Sequence, residues 1–152
     1  MNLDLKYDYI DSSGNILISS LADLLKKSEK TILYFYPKDN TPGCSIEAKD
    51  FTCLKGEFQK LGIQIIGISK DNIESHKKFK NDLSLGLDLI SDPNLILHKE
   101  LGVYGEKNNY GKIVMGVIRS TFLFDNKGNL IKEWRNVKAT GHAQKILAEL
   151  QK

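Results

Sequence analysis

This chain is short of the residues that build special frameworks. Its 152 residues include two cysteines, Cys44 and Cys53, too few for a disulfide scaffold. Such sparing use suits a reducing compartment, where a thiol serves as a reagent, so a cytoplasmic location is expected. No apolar run approaches the roughly 18 residues of a membrane span, and no basic–apolar–small leader opens at Met1, so neither membrane insertion nor export is expected. Charge of one sign is not in excess: the net charge is +3 and the basic residues are scattered, which gives no nucleic-acid footprint. The three histidines, His76, His98 and His142, lie far apart and match no metal spacing, so helix-surface roles and no metal are expected. Lys55-Gly56 lacks the Walker spacing of a phosphate loop.

What remains is ordinary globular material, with 41% hydrophobic and 27% charged residues. The length fits a single domain over 1–152 with one core. Alternation over Leu3–Ile10, a break at Asp11–Asn15 and resumption at Ile16–Ile18 predict an N-terminal β-hairpin. Ser20 is placed to cap a short helix over Leu21, Leu24 and Leu25. The apolar run Ile63–Ser69 reads as a buried strand, followed by a helix capped at Asp71 or Asn72 and a short strand over Leu85–Ile90. Ser91-Asp92-Pro93 is expected to start another helix that ends at Leu101-Gly102. Tyr104–Gly116 reads as a loop or loose hairpin. Strands over Ile118–Phe124 and Leu130–Trp134 flank a tight turn, and a last helix starts at Thr140 or Gly141. Strands and helices in this order predict an α/β fold, a central mixed sheet flanked by helices.

One stretch, Thr31–Glu47, organises the rest. Thr31–Tyr36 is a β-branched and aromatic strand, and Tyr34, Phe35 and Tyr36 should be core, with one ring available to floor a pocket. Pro37–Gly43 holds two prolines, Asp39, Asn40 and a glycine and reads as a loop, with a helix from Ser45 to about Leu61 that Gly62 ends. Cys44 therefore falls where loop becomes helix. The first N–H groups of a helix lack internal partners and carry partial positive charge, which favours a thiolate there. Placement alone makes Cys44 a candidate nucleophile, against the plainer reading of a small half-buried cysteine.

Pro37, Thr41 and Cys44 fit the Pro-x-x-x-Thr-x-x-Cys motif of the peroxiredoxins, and Tyr-Phe-Tyr-Pro-Lys with Thr-Pro-Gly-Cys resembles their bacterioferritin comigratory, or Q-type, subgroup. The block from Gly102-Val103-Tyr104-Gly105 to Met115-Gly116-Val117-Ile118-Arg119-Ser120-Thr121-Phe122 is also similar, whereas the opening residues lack the Ala-Pro-x-Phe segment usual in that family. The resemblance implies a thioredoxin-like fold, no metal or organic cofactor, a hydrogen peroxide or organic hydroperoxide substrate, and electrons from thioredoxin or another thiol through a protein that is often a monomer. It also implies that Arg119, an arginine in an otherwise buried-looking strand, supports Cys44, where the residues alone also allow an edge-strand arginine facing water.

On that reading Cys44 attacks a peroxide oxygen. Arg119 donates to sulfur and peroxide, Thr41 orients the peroxide, and Pro37 shields the sulfur. The backbone N–H groups of Gly43 and Cys44 add donors, and Glu47, on the Cys44 face of the helix, either steers Arg119 or is simply a first-turn carboxylate that suits the helix dipole. The resulting sulfenic acid must be reduced. Many relatives carry a resolving cysteine five residues on, where this chain has Lys49. Cys53 would lie about 13.5 Å along the helix from Cys44, beyond the roughly 7 Å a disulfide allows. Three cycles stay open: an external thiol resolves Cys44, Cys53 does so after local unwinding, or subunits form mixed disulfides. Two other classes also stay open. A thiol–disulfide oxidoreductase wants Cys-x-x-Cys, and the second sulfur is missing from Cys44-Ser45-Ile46-Glu47. A non-catalytic thioredoxin-fold binding or chaperone module would be indifferent to Cys44→Ser.

Overall fold

The computed structural model describes residues 1–152 apart from the side chain of Asn109. The elements run β1 (Lys6–Ile10), β2 (Ile16–Ser20), α1 (Leu21–Leu25), β3 (Lys30–Phe35), α2 (Pro42–Lys60), β4 (Ile63–Ser69), α3 (Ile73–Leu83), β5 (Asp88–Ser91), α4 (Ile96–Glu100), β6 (Tyr104–Asn109), β7 (Lys112–Val117), β8 (Ser120–Asp125), β9 (Leu130–Trp134) and α5 (His142–Leu150). A seven-stranded sheet has the order β2-β1-β5-β4-β3-β8-β9, and β6 pairs with β7 as a separate ribbon. The centre, β3-β4-β5, is parallel, as short helical crossovers require, while β1 and β8 join it antiparallel. The mixed sheet and the N-terminal hairpin agree with the sequence reading.

Strand β3 shows why both faces are covered. Ile32, Tyr34 and Tyr36 point to one side and pack with Phe51, Phe58, Phe79 and Ile146 under α2, α3 and α5. Leu33 and Phe35 point to the other and pack with Leu21, Leu24, Leu97 and Phe122 under α1 and α4. The period of two along the strand divides a continuous apolar run between two cores.

Capping follows the local chemistry. Ser20 accepts from the Asp23 N–H and Asn72 from the Ser75 N–H, as expected of helix-start residues. Gly62, at φ +76°, takes the left-handed turn that ends α2. The helix expected to start at Ser91-Asp92-Pro93 begins only at Ile96, because Asp92 reaches forward to accept from the Ile96 and His98 N–H groups and Pro93 stays in the turn before it.

Two further expectations need correction. The helix that carries Cys44 begins at Pro42, so Pro42 and Gly43 are helical and Thr41 is its cap residue; proline at the first helical position loses no hydrogen bond. The histidines are not on helix surfaces. His76 and His98 are fully buried and His142 is 4% exposed, because each ring has a polar partner that offsets its desolvation: Asp39, Asp92 and Thr121 respectively.

Candidate active site

The site forms at the carboxyl end of β3, where open α/β sheets place their loops and helix starts. Residues Pro37–Thr41 leave β3 there and enter α2. The antiparallel register pairs Phe35 with Ser120, so the residue before Ser120 falls opposite the start of that loop. That residue is Arg119. It lies in the two-residue link between β7 and β8, not inside a strand as its neighbours suggested.

Cys44, in the first turn of α2, is 1% exposed. Arg119 Nη2 donates to Cys44 Sγ at 3.2 Å, and Arg119 Nη1 donates to Glu47 Oε1 at 2.5 Å. Cys44 and Glu47 share one helix face three residues apart, so a single guanidinium fork spans both. Burial opposes the charge on Arg119, yet Glu47 and Cys44 hold its affinity for the proton above the usual arginine range. Burial pushes the Glu47 carboxyl up to about 7, against the pull of Arg119, and its second oxygen, Oε2, has no partner among the described residues.

The other expected residues surround this pair. Thr41 does not cap α2 with its side chain; its hydroxyl donates to the Lys38 carbonyl at 2.8 Å, which leaves the oxygen's lone pairs free to accept. The N–H groups of Gly43 and Cys44 belong to the first turn, where a helix supplies no acceptor. A Cβ on Gly43 would lie 3.3 Å from Arg119 Nη2 and 3.6 Å from the Ala139 side chain, so glycine permits the guanidinium its approach. Pro37 is half-buried and lines, with Arg119, a cleft of about 670 Å³ whose walls include Val117, Ile118, Arg135 and Val137. None of Tyr34, Phe35 and Tyr36 lines that cleft. Cys53 is exposed on the same unbroken helix as Cys44 and is not part of the cluster.

Some contributors were not legible in the sequence. Val137 N–H donates to the Arg119 carbonyl at 2.9 Å and so fixes the backbone of the link. His142 opens α5 with its Nε2 2.8 Å from Thr121 Oγ1; burial, then Arg119 and Lys145, push its pKa down to about 4. Asp39 stands between Pro37 and Thr41 but is buried, and with Asp71 and His76 it brings three ligand-type atoms within 4.8 Å of one another. Their atoms satisfy each other by hydrogen bonds, and His76 spends its second nitrogen on the Ile90 carbonyl. Only the position of Asp39 inside the motif loop hinted at a role.

No described helix is long and apolar enough to cross a membrane. The model of the AhpC/TSA family matches residues 4–133. A Helicobacter pylori protein named for the Bcp peroxiredoxins is 50% identical over 131 residues, 86% of this chain and 85% of that one. Peroxiredoxin Bcp of Bacillus subtilis is 46% identical over 125 residues, 82% and 80% of the two chains. The Xanthomonas campestris bacterioferritin comigratory protein, whose structures were solved to give insight into its alkyl peroxide reduction activity, superposes with a TM-score of 0.85 at 39% identity over 98% of this chain and 91% of its own. The thioredoxin-like fold is thereby shared over almost the whole chain. A cysteine at a helix start, an arginine fork upon it and relatives of this kind lead to one conclusion: the chain belongs to the AhpC/TSA family, as a peroxiredoxin of the bacterioferritin comigratory (Q-type) group, and is a thiol-dependent peroxidase.

Proposed function

We propose that Cys44 is the sulfur that attacks the peroxide and that an external thiol completes the cycle. In the first step the Cys44 thiolate attacks the nearer oxygen of hydrogen peroxide or an organic hydroperoxide. An S–O bond forms, the O–O bond breaks, and the far oxygen leaves with the electron pair and takes up a proton as water or alcohol. Sulfur is oxidised to the sulfenic acid and the peroxide is reduced. Charge passes from sulfur to the leaving oxygen, so the useful donors are those near both atoms. Arg119 supplies one to sulfur and, with its planar fork, can reach an adjacent oxygen. Thr41 accepts from the peroxide O–H, the Gly43 and Cys44 N–H groups donate, Glu47 holds Arg119 in place, and Pro37 keeps water off the sulfur. The 3.2 Å contact between Arg119 Nη2 and Cys44 Sγ carries this reading.

In the second step a thiol attacks the sulfenic sulfur, water leaves, and a further thiol releases Cys44. Thioredoxin or another thiol reductant is the proposed donor, acting on a cytoplasmic, monomeric, single-domain protein over 1–152 that needs no metal or organic cofactor. Cys53 is disfavoured as the resolving partner, because it lies nine residues further along an intact helix from Cys44, about 13.5 Å along the axis. Peroxide consumption with thioredoxin as donor tests both steps at once. Cys44→Ser should abolish it and leave the protein's mass unchanged by stoichiometric hydrogen peroxide, and Cys53→Ser should retain turnover. A Cys53→Ser protein that stalls after one turnover would instead make that residue the resolving cysteine. Insulin reduction without peroxide consumption would favour a thiol–disulfide oxidoreductase.

A further inference from the structure

A buried polar network lies directly behind the peroxide loop, and the chemistry above does not use it. Its centre is Asp39, 6% exposed and flanked in sequence by the motif residues Pro37 and Thr41. Asp39 Oδ1 accepts from the Tyr36 hydroxyl at 2.6 Å. Its Oδ2 faces the Ser75 hydroxyl at 2.8 Å and His76 Nδ1 at 2.7 Å. Its N–H donates at 2.8 Å to Asp71 Oδ2, which also accepts from the Ser69 hydroxyl at 2.7 Å. His76, fully buried, donates from Nε2 to the Ile90 carbonyl at 2.8 Å. One loop residue is thus tied to the end of β3, to the β4–α3 connection, to α3 and, through His76, to β5.

The bonding pattern fixes a proton. A carbonyl only accepts, so His76 Nε2 carries hydrogen. Nδ1 faces a carboxylate that already receives two hydroxyls, so a hydrogen must lie between Nδ1 and Oδ2 as well. The two side chains are thus joined by a short hydrogen bond in a buried site, where low dielectric strengthens it. Burial holds the Tyr36 hydroxyl well above the usual tyrosine range, which keeps it a donor.

Such a network is costly to bury unless complete, and here it is complete around a residue that sits between two residues of the site. The next residue, Asn40, adopts a left-handed conformation at φ 60°, so the chain turns sharply between the anchor and Thr41. The Thr41 hydroxyl in turn leans on the Lys38 carbonyl, one residue before the anchor. We infer that Asp39 and His76 are positioning residues of the peroxidase: a hydrogen-bonded latch that holds the Pro37–Thr41 loop in register with Cys44, so that Thr41 and Pro37 meet the peroxide correctly. The inference rests on the reading of Cys44 as the attacking sulfur.

The test compares two reactions of the same sulfur. Oxidation of Cys44 by hydrogen peroxide, followed by stopped-flow quench and intact mass, needs the loop; alkylation by iodoacetamide does not. In His76→Leu and Asp39→Asn the peroxide rate constant should fall roughly 10- to 100-fold, the scale of a misplacement near 1 Å, with alkylation changed by less than about threefold. His76→Gln, whose amide still donates to Asp39, should recover part of the loss. Folded variants with unchanged peroxide rates would overturn the inference, as would a parallel fall in both reactions. If neither buried variant folds, Ser75→Ala, which removes one bond from Asp39 Oδ2 at a partly exposed position, decides in the same terms: a selective loss supports the latch and its absence overturns it. A wild-type protein that is not oxidised at Cys44 would instead overturn the proposed function, a result separate from all of these.

Discussion

Two cysteines share one helix, and their surroundings make them different reagents. Cys44 lies in the first turn of α2, buried, with Arg119 Nη2 3.2 Å from its sulfur. Cys53 lies in the middle of α2 and faces solvent. At the helix start the N–H groups have no partner in the helix and a guanidinium donates to the sulfur; in the helix middle every backbone donor is spent on the turn before it. On the proposed reading, position along a helix, more than residue type, separates the attacking sulfur from an ordinary side chain.

The largest effect expected from that contrast is at Cys44 itself. Cys44→Ser should lower peroxide consumption at least about a thousandfold, whereas Cys53→Ser should stay within about threefold of wild type in a coupled thioredoxin assay. Equal losses would erase the distinction. Next comes Arg119→Met, which keeps bulk but removes the donor to the Cys44 sulfur. The rate constant for Cys44 oxidation should drop by about 10²–10³, the usual cost of one transition-state donor, with little change at Cys53, measured as the fraction of each thiol alkylated over time.

Glu47→Gln acts through Arg119 and should cost about tenfold in peroxide reactivity, since the fork loses its charged partner. It also carries a stability signature. Burial holds the Glu47 proton on the folded protein up to about 7, against the ordinary carboxyl value of 4.5, so the folded state binds the extra proton between those values. The wild type should therefore lose stability as pH rises through that window, and Glu47→Gln should flatten the slope in urea denaturation. His142 has the opposite sign. Its folded pKa of about 4 lies below the ordinary 6.5, so the unfolded chain takes up a proton first as pH falls. Stability should drop from about pH 6.5 to about pH 4, and less so in His142→Gln. The smallest effect is at Gly43. In Gly43→Ala the new Cβ meets Arg119 Nη2 at 3.3 Å, so the guanidinium must give by a few tenths of an ångström and peroxide reactivity should fall only a few-fold.

The apolar run of β3, the caps at Ser20 and Asn72 and the turn at Gly62 all stand where local pattern put them, because each depends on neighbours a few residues away. The motif residues Pro37, Thr41 and Cys44 were equally plain. The start of α2 at Pro42 is hidden in the sequence because Pro42 and Gly43 read as breakers, although proline is well accepted at a first helical position. Arg119 was noticed as an anomaly, but its aim depends on the β3–β8 register, 75 residues from Cys44 along the chain. The burial of the histidines is hidden for the same reason: the partners of His76 and His142 lie 37 and 21 residues away.

The sequence by itself determined the strand–loop–helix that carries Cys44, the periodicity that covers both faces of the sheet, and the motif that identifies the family. These are short-range matters of sterics, backbone hydrogen bonding and apolar spacing. Tertiary structure alone decided that Arg119 reaches the sulfur, that Glu47 lies buried behind it, and that Asp39 is tied to His76 under the loop. A charge or polar group is tolerated in the interior only when a partner arrives from elsewhere in the chain, and that arrival is a property of the folded register.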